Sequence, residues 1–278
     1  MKIIVAKTAG FCWGVKRAVT MVMDAKKATA KKVYTYGPLI HNSLVIEDLK
    51  NKGIDIYCDG DAVEKSSSLV VRAHGIPPQK ENELENLGFQ LINATCHHVI
   101  RAQEEVKRYS QQGYTVIIAG DRNHAETVGL LGFVTTNAYV VQNIEDIEKV
   151  KAKEPAVFLA QTTFNSLLFD RMKEVLRKKF TNIAVVNTIC AATNQRQEEL
   201  LEIAKEAQAL VIIGDKSSAN TKRLVAIAQS TKKPVYFIQT AEDLNSDDLK
   251  RYKIVGITAG ASTPNWVSNA VVEKLQTE

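Results

Sequence analysis

Short apolar runs alternate with stretches of helical period along the whole chain. Three runs open the pattern: Lys2–Ala6, Phe89–Ile92 and Ile183–Val186. Each is followed by apolar residues spaced i, i+3, i+4, i+7, which marks one buried helix face. These are Val15, Ala18, Val19 and Val22, then Val99, Ala102, Val106 and Tyr109, then Leu200, Ile203, Ala204 and Ala207. A second strand follows each helix and stops at a glycine: Val33–Gly37, Val116–Gly120 and Leu210–Gly214. Third strands are predicted at Ile54–Tyr57, Ala138–Val141 and Val235–Ile238, and fourth strands at Leu69–Arg72, Ala156–Leu159 and Ile254–Ile257.

The pattern therefore repeats three times, and a cysteine keeps its phase. Cys12, Cys96 and Cys190 stand 84 and 94 residues apart, and each precedes its strand-ending glycine by 25, 24 and 24 residues. A fixed period of this kind points to a triplicated unit. Strands alternating with helices predict an α/β fold with mostly parallel sheets. We expect three similar lobes, with boundaries at 1–95, 96–189 and 190–278, and a central site if they face one another about a pseudo-threefold axis. The first strand, leading to Cys12, is placed in lobe 1.

Composition narrows the class. The chain has 278 residues, 45% hydrophobic and 24% charged, within the globular range. No apolar run is long enough to cross a bilayer, and the start reads as a strand, not a signal peptide. A cytoplasmic location is expected, with no membrane and no nucleic-acid partner. The net charge of +5 is spread out, without a basic arm. It suits an anionic small molecule or an acidic protein partner. None of the four cysteines lies in a Cys-x-x-Cys pair. Cys58 follows a third strand, has no counterpart in the other repeats, and is read as structural.

In parallel α/β sheets, ligands bind beyond the carboxyl ends of the strands. The polar residues of this chain gather there. The cysteines follow the first strands. His41-Asn42, His124-Ala125-Glu126 and Ser217-Ser218-Ala219-Asn220 follow the second strands. His74-Gly75, Gln161-Thr162-Thr163 and Ala261-Ser262-Thr263 follow the fourth. If the lobes face one another, three thiolates meet. Such soft donors suit an iron–sulfur cluster, zinc or copper(I), and a helix start favours an anionic ligand. A 4Fe–4S cluster with three protein ligands leaves one iron open as a Lewis acid. Zinc is the inorganic rival, taking a histidine from His41, His74, His124, His97 or His98. Histidines together with Ser218, Ser262, Thr162 and Asn220 can donate to phosphate oxygens. Glu126 is read as the sole carboxylate among these positions, with a raised pKa that lets it hold and deliver a proton. Ser218 and Asn220 also fit a helix cap. A non-catalytic metal-bearing sensor of an anionic metabolite is the rival to an enzyme.

The motifs Ala9-Gly10-Phe11-Cys12-Trp13-Gly14-Val15, Gly37-Pro38-Leu39-Ile40-His41-Asn42, Arg72-Ala73-His74-Gly75, Ala94-Thr95-Cys96, His124-Ala125-Glu126, Gln161-Thr162-Thr163, Cys190-Ala191-Ala192-Thr193-Asn194 and Thr258-Ala259-Gly260-Ala261-Ser262 run through the chain in that order. Together they resemble the 4-hydroxy-3-methylbut-2-enyl diphosphate reductase family over essentially its whole length. The resemblance implies a trefoil of α/β lobes around one 4Fe–4S cluster, with Cys12, Cys96 and Cys190 as ligands and one open iron. It implies that His41, His74, His124, Thr162, Ser218, Asn220 and Ser262 hold the diphosphate substrate, and that Glu126, Thr162 and His124 act in catalysis. The implied reaction is the last step of the methylerythritol phosphate isoprenoid pathway. It is a two-electron reductive dehydroxylation giving isopentenyl and dimethylallyl diphosphate, with a ferredoxin or flavodoxin as donor. The chain departs from the family's common pattern at three places. His97 and Ala125 stand where proline is common, and Ala219 where a second serine is common.

Overall fold

A computed structural model describes residues 1–64 and 66–277. Glu278, the last residue of the expected third lobe, lies outside the described residues. Along the chain run β1 (Lys2–Val5), α1 (Trp13–Ala28), β2 (Val33–Tyr36), α2 (Ser43–Asn51), β3 (Ile54–Tyr57), β4 (Ser68–Val71), α3 (Pro78–Asn86) and β5 (Gln90–Asn93). The middle holds α4 (His97–Gln111), β6 (Thr115–Ala119), α5 (Ala125–Leu131), β7 (Ala138–Val141), α6 (Ile144–Lys149), β8 (Ala156–Ala160), α7 (Ser166–Lys179) and β9 (Ile183–Val185). The last third holds α8 (Ala191–Glu206), β10 (Ala209–Ile213), α9 (Ala219–Ser230), β11 (Val235–Ile238), α10 (Asp247–Lys250), β12 (Ile254–Ala259) and α11 (Asn265–Thr277).

Among the described residues these strands form three four-stranded sheets, ordered β3-β2-β4-β5, β7-β6-β8-β9 and β11-β10-β12-β1. Every pairing is parallel. The α/β class and the parallel sheets are as the sequence predicts. Central strands β4, β6, β8 and β10 are buried along their whole length. That is the reason they read as continuous apolar runs and not as alternation.

The chain divides into two compact units. One is built from Met1–Lys16, Ile40–Asp48 and Ala191–Glu278; the other from Arg17–Leu39 and Leu49–Cys190. In the first unit, Val211, Ile213, Val255 and Ile257 of the sheet pack with Val267 and Val271 of α11 on one face. Leu210 and Ile212 pack with α8 and α9 on the other. In the second unit, Phe158 stacks on Phe169 of α7, ring centroids 4.6 Å apart. Burial of such a ring contributes about 2 kcal/mol.

One expectation is corrected. The first strand was placed in lobe 1, yet β1 pairs with β12, Val5 lying opposite Ile257. The run before each cysteine closes the sheet of the preceding repeat: β5 on β4, β9 on β8, and β1 on β12. The physical reason is that each fourth strand has one open parallel edge. For β12 the strand that fills it comes from the opposite end of the chain.

Candidate active site

The common strand order fixes where side chains can meet. In β7-β6-β8-β9 the chain leaves β6 toward one side and returns through β8 on the other, so the crevice opens beyond the carboxyl ends of β6 and β8. The same holds for β10 and β12.

Beyond β6 and β8, in the second unit, Glu126 meets Thr162. Glu126 is only 1% exposed. The Thr162 N–H donates to its Oε1 at 2.6 Å and the Thr162 hydroxyl to its Oε2 at 2.8 Å. Burial raises its pKa from 4.5 to about 7, against the lowering pull of these two bonds. A carboxyl group of that kind exists in both protonation states at neutral pH, as the sequence argument expected. His124 caps α5, its Nδ1 accepting from the Glu126 N–H at 3.1 Å. With Nδ1 occupied as an acceptor, a neutral ring carries its proton on Nε2 and can donate from there. The His74 ring lies edge-on to the His124 ring, centroids 5.2 Å apart. Gly75, with φ +73°, turns the chain directly after His74; a Cβ here would lie 2.6 Å from Gln103 Nε2. Buried Gln161 ties the two loops, accepting from the Asp121 N–H at 3.0 Å and donating to Thr163 Oγ1 at 2.9 Å.

Beyond β10 and β12, in the first unit, lie Ser218, Asn220, Ser262 and His41. The Ser262 hydroxyl donates to the His41 carbonyl at 3.0 Å and sits 3.4 Å from Ser218 Oγ. Ser218 caps α9, accepting from the Thr221 N–H at 3.3 Å. The cap role and a role toward a ligand are compatible, because capping uses a lone pair of the hydroxyl and leaves its proton. Asn220 is 5% exposed, and its Nδ2 has no protein partner. A buried amide nitrogen without an acceptor suits a site that receives an anion.

Among the described residues Cys12, Cys96 and Cys190 form no disulfide, and each is half-buried and stands directly before a long helix. Their backbone N–H groups are held alike. The Cys12 N–H donates to Ala261 O at 3.0 Å, the Cys96 N–H to Ala73 O at 3.0 Å, and the Cys190 N–H to Thr162 O at 2.9 Å. In each case the acceptor stands two residues past the end of a fourth strand, β12, β4 or β8. Cys58, read as structural, is exposed at the surface.

Three soft donors in three equivalent helix-start positions fit an iron–sulfur cluster chemically.

Sequence reasoning missed three residues. Arg17 of α1 donates to Thr95 O, one residue before Cys96, at 3.1 Å. Buried Arg196 of α8 donates to Gly10 O, two residues before Cys12, at 2.5 Å. An arginine five or six residues after a cysteine was the available signal. The third is Asp215, which directly follows the strand-ending Gly214 and is 6% exposed. Glu126 is therefore not the sole carboxylate at these strand ends.

The family profile described as "LytB protein" matches residues 3–276. The 4-hydroxy-3-methylbut-2-enyl diphosphate reductase of Aquifex aeolicus is 39% identical over 277 residues, covering 99% of this chain and 96% of its own. That of Opitutus terrae is 38% identical, covering 99% of both chains. A solved structure of (E)-4-hydroxy-3-methyl-but-2-enyl diphosphate reductase, described as the terminal enzyme of the non-mevalonate pathway, matches over 100% of both chains with 38% identity and a TM-score of 0.74. The reductase structure from Plasmodium falciparum matches 98% of this chain and 87% of its own with 28% identity and a TM-score of 0.93. With its order of motifs, three matching sheets and full-length similarity to these reductases, the chain belongs to the LytB family.

Proposed function

We propose that this chain is a 4-hydroxy-3-methylbut-2-enyl diphosphate reductase that uses one 4Fe–4S cluster held by Cys12, Cys96 and Cys190. The observation that carries the chemistry is Glu126: a fully buried carboxyl group, gripped at both oxygens by Thr162, with a pKa of about 7. A carboxyl group that is part-protonated at neutral pH can deliver a proton, which a simple anion binder does not require. A reductive dehydroxylation needs a proton source.

The overall change takes two electrons and two protons, breaks the C–O bond of the allylic alcohol, releases water and forms a C–H bond at either end of the allyl unit. The products are isopentenyl or dimethylallyl diphosphate. The cluster, when bound, supplies the electrons and a Lewis-acidic iron with one open position. The protein's own part is proton delivery and anchoring. Thr162 holds the Glu126 carboxyl in one orientation, so a proton on it is kept at a defined place. His41, His74, His124, Ser218, Asn220 and Ser262 are the donors for the diphosphate. Ala219 leaves its position without a hydroxyl, and the burden falls on Ser218 and neighbouring N–H groups. A ferredoxin or flavodoxin is the proposed donor, and the net charge of +5 is compatible with an acidic partner.

The test is anaerobic purification, metal and sulfide analysis, and an assay with reduced viologen. We expect brown protein with about four irons per chain. Zinc at one per chain refutes the cluster. Glu126→Gln should keep its iron and bind substrate, with kcat reduced about 100-fold to 10,000-fold. Unchanged turnover in that variant removes Glu126 from the mechanism.

A further inference from the structure

Asp215 lies in the loop between β10 and α9, next to the proposed anion donors, and it is buried. A carboxylate there repels a diphosphate unless its charge is already engaged. It is engaged at both oxygens. Oδ2 accepts from the Ser43 N–H at 2.8 Å, from the Ser43 hydroxyl at 2.8 Å and from Gln239 Nε2 at 3.3 Å. Oδ1 accepts from the Ser217 N–H at 2.7 Å and the Ser217 hydroxyl at 2.6 Å. Gln239 Nε2 also donates to Ser43 Oγ at 2.6 Å, closing the ring from the end of β11. Burial pushes the Asp215 pKa up, yet the bonds from Ser217 and Ser43 hold it below the usual carboxylate range. The group is therefore a fixed anion at neutral pH, saturated with donors.

What these bonds join is informative. Ser43 stands two residues after His41, and Ser217 directly before Ser218. Ser43 and Asp215 are 172 residues apart in sequence. Both carry groups that Ser262 links, through the His41 carbonyl and the Ser218 hydroxyl. Without Asp215 the backbone N–H groups of Ser43 and Ser217 lose their acceptor, and the segments lose their common anchor. Holding loops in their bound geometry beforehand removes an ordering cost from binding.

We propose that Asp215 is a positioning residue of the diphosphate site, pinning the His41 and Ser218 segments to one another so that their donors are preset for phosphate. The inference rests on the functional reading given above. Since the diphosphate is held equally before and during the reaction, the effect belongs in KM and not in kcat.

The experiment uses the cluster-loaded full chain and measures inorganic diphosphate affinity by calorimetry, with KM and kcat by reduced-viologen assay. Asp215→Ala should bind inorganic diphosphate about tenfold more weakly and raise KM by a similar factor. Its kcat should stay within about twofold, with iron content unchanged. Asp215→Asn keeps one acceptor but turns an amide toward the other serine's N–H, so its loss should be intermediate. Should Asp215→Ala not fold, the double variant Ser43→Ala with Ser217→Ala keeps the carboxylate and both N–H donors, and should lose affinity severalfold. Wild-type affinity in whichever of these variants folds overturns the proposal, as does a fall in kcat at constant KM. A wild-type protein that neither binds inorganic diphosphate nor reduces the substrate overturns the functional reading itself, and this inference with it.

Discussion

At the scale of single residues, the energetics of Glu126 can be read from stability as well as from turnover. Its pKa in the folded chain, about 7, lies above the ordinary 4.5, so folding favours the protonated group. That contribution is fully present below about pH 4.5 and is lost as pH rises through 7. A shift of this size corresponds to about 3 kcal/mol. Glu126→Gln removes the titration. Thermal melts between pH 5 and 8 should show wild type losing stability relative to the variant as pH rises. Parallel curves would mean that Glu126 titrates in the folded chain as it does in the unfolded one. The sequence located this residue by its place after a second strand. It did not supply the two bonds from Thr162, which lies 36 residues away and reaches Glu126 only because β6 and β8 are neighbours.

At the scale of elements, α1, α4 and α8 each begin at a cysteine, and two of them send an arginine to the loop of another cysteine. Arg196 is 4% exposed and bonds Gly10 O, in a loop where φ at Gly10 is +104°. A Cβ at Gly10 would come within 2.3 Å of Asn265 Oδ1. This loop is thus packed tightly from both sides, and it sets where Cys12 stands. Arg196→Met leaves every cysteine in place yet removes the bond to Gly10 O. Iron per chain after anaerobic reconstitution should fall to roughly half or less, whereas Cys58→Ser should load fully, Cys58 being exposed. Full loading of Arg196→Met would show that the loop holds its shape without the guanidinium. The helices themselves were legible, because the apolar stripe and the phase of cysteine to glycine are local properties of the chain. The arginine contacts were not, since they join groups 78 and 186 residues apart.

At the scale of the whole molecule, the pairing of β1 with β12 joins the first strand of the chain to its last. In β12, Val255 and Ile257 are at most 1% exposed, and β1 covers one edge of that strand. Deleting residues 2–5 should therefore speed amide hydrogen exchange in β12 and β10, while β4, β6 and β8 keep their protection. Loss of protection confined to β4 would place β1 where the sequence alone had put it, in the first lobe. Removing the proposed cluster should act more broadly. A ligand bound only by the native chain stabilises it by an amount that grows with the logarithm of its concentration over Kd, so chelated protein should melt below the loaded protein.

The sequence by itself determined the order of strands and helices, the threefold repeat and the equivalence of the three cysteines. All of these follow from local periodicity: buried parallel strands leave unbroken apolar runs, amphipathic helices leave a stripe, and a triplicated unit keeps its phase. Only the tertiary structure decided which sheet receives β1, that Thr162 grips Glu126, and that Asp215 and Arg196 tie distant loops together. Those outcomes depend on which strand edge is open and on which donors come within about 3 Å of an acceptor once the sheets have formed. Spacing along the chain can single out a residue such as Arg196, but it does not name the partner that the residue meets.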